Sequence, residues 1–164
     1  MARKIPARLL RWGINLWPPY LGAGIRVQRI SADFREVEVE LPLRWYNRNY
    51  VGSHFGGSLF AMTDPFFMLM LVHNLEPDYL VWDRQAAIDF VAPGRGRVRA
   101  QMRLTGEDLA QIRACTADGD KHLHLFRTEI VDAEALVVAR VEKIVYVRRR
   151  RAQAAAPGRC RGQA

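Results

Sequence analysis

Apolar and polar residues alternate most clearly in "FREVEVELPLR", residues 34–44. Val37, Val39, Leu41 and Leu43 fall on one side of an extended chain and Glu36, Glu38 and Glu40 on the other. The stretch therefore predicts a strand with one buried face. "RVRAQMRL" repeats the pattern: Val98, Ala100, Met102 and Leu104 share one face, and Arg97, Arg99 and Arg103 share the other, with Arg95 just before them. Further strands are predicted at "GIRVQRISAD", "RQAAIDFVAPG", "HLHLFRTEIVD" and "ALVVARVEKIVYVR". The last two are joined by a tight turn near residues 132–134, and "EDLAQIRACTADGD" reads as a short helix or loop before them.

Two other segments lack this alternation. Leu9, Trp12, Ile14, Leu16 and Trp17 are the apolar set of a short helix that Pro18 and Pro19 stop. Residues 57–74 are almost wholly apolar and too long for an ordinary strand. They predict a helix about 27 Å long. Being apolar nearly all round, it must be buried on all sides or span a membrane. Two leading glycines, Ser58, Thr63, Asp64 and Pro65 argue against a span, and the later strands need a core to pack on. A helix running through Pro65 and a pair of helices with Asp64 capping the second both fit. The resulting plan is α+β: a curved, mainly antiparallel sheet wrapped around one central apolar helix. Three regions follow: an N-terminal helical segment (1–24), the main domain (25–147), and a basic, disordered tail (148–164).

At 164 residues and 49% hydrophobic content, the chain is long and apolar enough for one folded domain. Its net charge of +8 is unevenly placed. Of 25 basic side chains, six lie in residues 1–32 and six in 148–164, where there is no acid; 13 basic against 17 acidic groups remain between. A body that is mildly acidic does not suit nucleic acid. The N-terminal helix is expected to pack on its own domain, and contact with a membrane surface is set aside. Cys115 and Cys160 have no metal-ligand spacing and read as reduced thiols; with no secretory signal visible, the expected location is cytoplasmic.

The candidate chemistry lies around "FGGSLFAMTD", with Asn49 upstream of it. This arrangement resembles the hotdog fold, and within it the PaaI-like acyl-CoA thioesterases. Those enzymes carry an Asn, a His-Gly-Gly that opens the central helix, and an acid two turns into it. "LWPPYLGAGIRV" is similar to one branch of hotdog proteins, and the likeness in strand order covers residues 25–147. The resemblance implies hydrolysis of acyl thioesters by dimers. Asp64 would be the base or nucleophile, Gly56 (with Gly57) the oxyanion donor, and Asn49 the group that orients the substrate carbonyl or the attacking water. Phe55 stands where many relatives have His, and His54 is one position early. A protein that binds acyl thioesters without cleaving them is therefore the alternative.

The residues support this reading without the family. A helix start offers unpaired N–H groups and a positive dipole end. Glycines there admit a ligand close to the backbone, as an oxyanion hole requires. A carboxylate in a water-poor site can activate water or attack a carbonyl. Asp64 lies two turns past Gly57, a rise of about 10.5 Å, so one carbonyl cannot reach both on a single chain. A two-fold dimer with antiparallel central helices would bring them together. The expected partners are an acyl-CoA or acyl-carrier thioester and a second copy of the chain, in dimers that could pair into tetramers. No cofactor or metal is expected, coenzyme A entering only as part of the substrate. Gly57, His54, Phe55 and Asp83 are the expected substrate-binding residues, with Asp83–Arg84 a polar pair near the pocket or a surface ion pair. Gly56 and Gly57 could equally make a plain turn, as could Asn49. His122 and His124 are expected on a solvated strand face, and Asp89 in solvent. The arginine row either crosses the Glu36/Glu38/Glu40 row on the outer face or holds coenzyme A phosphates.

Overall fold

The computed structural model describes residues 5–150. In chain order its elements are α1 (Ala7–Leu16), α2 (Pro18–Ala23), β1 (Arg26–Ile30), β2 (Glu36–Pro42), α3 (Gly56–Ala61), α4 (Phe66–Asn74), β3 (Tyr79–Phe90), β4 (Arg97–Arg103), α5 (Gly106–Cys115), β5 (Lys121–Val131) and β6 (Val137–Arg149). The strands form one six-stranded sheet in the order β1-β2-β4-β5-β6-β3, with every neighbouring pair antiparallel. This is the expected hotdog arrangement.

The alternation between β2 and β4 is borne out within the strands; Leu43, expected on the buried face, lies past the end of β2 and is only half-buried. Val37, Val39, Leu41, Val98, Ala100 and Met102 are buried. Glu36 lies opposite Arg103 and Glu40 opposite Arg99. On this outer face Arg103 Nε lies 3.7 Å from Glu36 Oε1, and Arg97 Nη1 lies 3.8 Å from Glu40 Oε2.

The central helix is not continuous. It stops at Ala61 and resumes at Phe66, because Pro65 has no N–H to give the preceding turn. Asp64 does not cap the second half: Pro65 occupies the N-cap and no side chain bonds there. Nor is the helix buried on all sides. Phe66, Phe67, Met70 and Leu71 of α4 pack into the core, while Val72 is 46% exposed. A sheet covers only one side of a helix, and among the described residues Val72 on the other side is left uncovered.

Two further expectations change. Pro18 and Pro19 end α1 but also start α2, since proline suits the first helical turn; Gly24, at φ +76°, closes α2 in the left-handed region. His124 is not on a solvated face. It is buried, with Nε2 3.1 Å from Asp108 Oδ1 and His122 3.2 Å from its Nδ1. Asp108 is at once the reciprocal partner of Thr105 in the capping box that starts α5. His73 stacks on Phe34 with ring centroids 3.8 Å apart, and Asp89 is exposed as expected.

The two edges of the sheet differ. At β1, α1 covers the strand: the Asn15 side chain accepts from Val27 N at 2.7 Å and donates to Val27 O at 3.0 Å, while Arg11 donates to Gln28 O. At the other edge β3 runs for twelve residues with β6 on one side only. Among the described residues no helix is long and apolar enough to cross a membrane. Cys115 is exposed and free. Cys160 and most of the tail, 151–164, lie outside the described residues; β6 itself reaches Arg149.

Candidate functional site

The interruption between α3 and α4 places Asp64 on a four-residue turn rather than on a helix face. Its side chain is 51% exposed, and its Oδ1 accepts from Lys143 Nζ at 2.7 Å. Lys143 comes from β6, whose inner face reads Ala139, Val141, Lys143, Val145, Val147, all buried. A lysine thus stands in an aliphatic row, its side chain only 2% exposed. Its three N–H donors have three acceptors: Asp64 Oδ1, the Asp64 carbonyl, and Asp83 Oδ2 at 2.9 Å. Two carboxylates offset the cost of removing one ammonium from water.

Asp83 reaches this ammonium because of a bulge. The β3–β6 register slips between Asp83 and Gln85. Tyr79, Val81 and Asp83 face inward before the slip, and Ala86 and Ile88 after it. Asp83 therefore pairs with Lys143 rather than with Arg84, correcting the expected ion pair. Its Oδ1 is buried without a partner among the described residues. Burial holds its carboxyl above the usual range, with the Asp64 charge adding to the rise, although Lys143 pulls the other way.

Tyr20 supports the same turn from α2. Its hydroxyl donates to the Ala61 carbonyl at 3.0 Å, the group that the missing N–H of Pro65 releases from the helix. Burial first, and the Asp64 charge second, push this phenol far above its ordinary pKa, so it remains a donor.

The structure separates the other expected residues. Gly56 and Gly57 open α3, with no side chain capping it. Neither could carry a Cβ without displacement: at Gly56 it would lie 2.8 Å from the Phe90 ring, and at Gly57 it would run into the Phe55 ring. Phe55 is 58% exposed and lies over the helix start. His54 points into the body instead. It is buried, its Nε2 donates to Gly96 O at 2.7 Å, and burial holds its pKa below the ordinary histidine value.

Asn49 is a loop former here. Its Oδ1 accepts from Val51 N and Ser53 N, and its Nδ2 donates to Ser53 Oγ and His54 O. That exhausts the amide's capacity, which corrects its expected role as a free orienting group. The buried asparagine is Asn47, which joins the end of α2 to β2 by donating to Ala23 O and Pro42 O, each at 3.0 Å.

Sequence reasoning missed Lys143 and Tyr20. Lys143 had a signal: it falls on the apolar beat of a strand with period two. Tyr20 had none beyond its place after two prolines.

A Pseudomonas aeruginosa protein described as of unknown function, probable thioesterase, superposes with a TM-score of 0.78 at 19% identity, over 88% of this chain and 97% of that one. A Haemophilus influenzae thioesterase superposes with a TM-score of 0.63 at 14% identity, over 88% of this chain and 92% of that one. A mutant thioesterase from Pseudomonas aeruginosa gives 0.64 at 12% identity, over 90% of this chain and 97% of that one. At such identities the likeness establishes the hotdog fold. No curated protein matches in sequence. A family model covers residues 7–147, from α1 into β6, and the chain belongs to that family, described as Domain of unknown function (DUF4442).

Proposed function

We propose that the chain is a cytoplasmic acyl thioesterase acting on acyl-CoA at a seam between two copies. The observation that carries this reading is Asp64: a half-exposed carboxylate on a break in the central helix, held from behind by the buried ammonium of Lys143. Lys143 and Tyr20 fix the turn, so the carboxylate is oriented before substrate arrives. Asp64 either accepts a proton from the attacking water or attacks the thioester carbonyl itself. In both routes the C–S bond breaks, the thiol leaves, and water supplies the oxygen of the product acid. The N–H groups of Gly56 and Gly57 from the second copy would receive the oxyanion.

The open β3 edge supports the dimer. A long strand with one free side, bearing exposed Trp82 and Phe90, is an invitation to pair with another strand. Pairing β3 with its two-fold mate would bring α4 and its exposed Val72 toward the same seam.

The test is an acyl-CoA panel of short, medium and aromatic chains, run on wild type and Asp64→Ala, with the mass of each measured by light scattering. Turnover by a wild-type dimer, lost in an Asp64→Ala dimer, is the expected result. Equal rates for the two proteins would refute the assignment.

Phe55 favours a second reading. Its exposed ring lies against Gly57, where the resemblance to PaaI-like thioesterases implies a polar histidine. The protein would then hold an acyl thioester without cleaving it. Intact acyl-CoA retained by wild type through purification, with no free thiol released, would select this reading.

A further inference from the structure

The N-terminal helix has two apolar faces. Ala7 and Ile14 are buried and Leu10 packs partly against the core. On the far side Leu9, Trp12 and Leu16 are 60–62% exposed. They sit at i, i+3 and i+7, one stripe along the helix, and exposed Ile5 lies just before its first turn. Trp17 and Leu21, both at least half exposed, continue the patch onto α2. Scattered surface apolar residues are ordinary, but a contiguous run with two tryptophans is not.

Its charge identifies the occupant. Residues 1–32 contain no acid, and of their basic side chains Arg8, Arg11 and Arg26 lie on or beside this face, whereas Arg29 is paired with Glu36 at 3.7 Å. Arg8 is exposed beside the stripe. The adjacent groove of about 490 Å³, between α1 and β1, is lined by Trp12, Leu16, Leu21 and Tyr46 together with Arg11 and Arg26, and by no carboxylate. Leucine and tryptophan on one face with arginine at its border is the make-up of a helix that lies in a lipid headgroup region. We infer that the outer face of α1 and the start of α2 dock on an anionic lipid bilayer surface.

The fold leaves this face available. Asn15 and Arg11 fix α1 to β1, whereas the open edge is β3, five strand spacings away, roughly 24 Å along the sheet. A dimer formed through β3 would leave the patch uncovered, so the inference does not depend on the enzymatic reading.

Full-length protein is floated with phosphatidylcholine vesicles, with and without phosphatidylglycerol. Wild type should float with the anionic vesicles only, and less so as salt is raised. The Trp12→Glu/Leu16→Glu variant alters only exposed side chains and should bind at least about tenfold more weakly, with mass and melting temperature unchanged. Arg8→Glu should weaken binding to a smaller degree. A wild type that does not float, or a double variant that floats equally well, overturns the inference. So does a double variant whose oligomeric mass falls, because a second copy would then be the occupant. Loss of flotation on removing only residues 151–164, with the double variant still floating, would move the contact to the tail and also overturn it.

Discussion

The two faces of this sheet handle charge in opposite ways. On the outer face, carboxylates of β2 and guanidiniums of β4 meet at 3.7–3.8 Å, with the arginines about two-thirds exposed. On the inner face one ammonium meets two carboxylates at 2.7 and 2.9 Å and is itself almost wholly buried. The outer pairs sit in high dielectric, and water would solvate either partner alone. The inner ammonium has no such refuge. Removing its partners leaves a buried charge, and removing the ammonium leaves Asp83, already short of one acceptor's partner, facing Asp64 across the gap. Pairs of a cation with a carboxylate are thus close to optional on one side of the sheet and obligatory on the other.

The largest expected effect tests the obligatory side. Lys143→Met should destabilise the fold by about 1–3 kcal/mol, because it leaves the partly buried Asp83 carboxylate without its cation while the half-exposed Asp64 turns to water. In urea denaturation the midpoint should fall with little change in slope. Adding Asp64→Asn and Asp83→Asn to Lys143→Met should recover part of the loss, since the uncompensated carboxylates are then gone. A single-variant loss no greater than that of an outer pair would break the comparison.

How much of this was legible differs between the two faces for a physical reason. The outer ladder was readable because each strand announces it alone: Glu36, Glu38 and Glu40 alternate with Val37, Val39 and Leu41, and the arginines of β4 answer them. The inner cluster needed three distant segments to meet. Asp64 stood out as an acid in an apolar run, and Asp83 was named as lying near the pocket. Their common partner, 79 residues beyond Asp64, was not. The bulge that turns Asp83 inward has no local signature, because it depends on register against β6. Asn49 is a residue whose two roles the sequence leaves open. An asparagine in a loop suits both catalysis and turns, and the hydrogen bonds that decide between them appear only in three dimensions. The apolar face of α1 was visible as leucine and tryptophan, but not which of those side chains would be left outside.

A smaller effect concerns the pH dependence of the inner cluster. Asp83 has its carboxyl raised by burial, so the folded chain holds that proton more tightly than the unfolded chain. Between the unfolded and folded pKa values the native state binds more protons, and the contribution of Asp83 to stability declines as pH rises through that window. Asp83→Asn removes this titration. The stability of the variant minus that of wild type, from urea curves between mildly acidic and neutral pH, should therefore grow with pH. A difference that shrinks instead would mean that the Lys143 ammonium outweighs burial, and would bring Asp83 closer in character to the outer carboxylates.

The smallest effect belongs to the outer ladder and also tests its rival role. In a double-mutant cycle, Arg103→Ala and Glu36→Gln should couple by about 0.2–1 kcal/mol, and the coupling should fade in high salt. If the row is only a solvated ladder, KM for acyl-CoA should be the same in Arg103→Ala as in wild type. A several-fold rise in KM with no loss of melting temperature would instead assign these arginines to the phosphates of coenzyme A. The distinction is clean because a ladder arginine acts through Glu36 and is silent once Glu36 is neutral, whereas a phosphate-binding arginine keeps its effect on KM in the Glu36→Gln background.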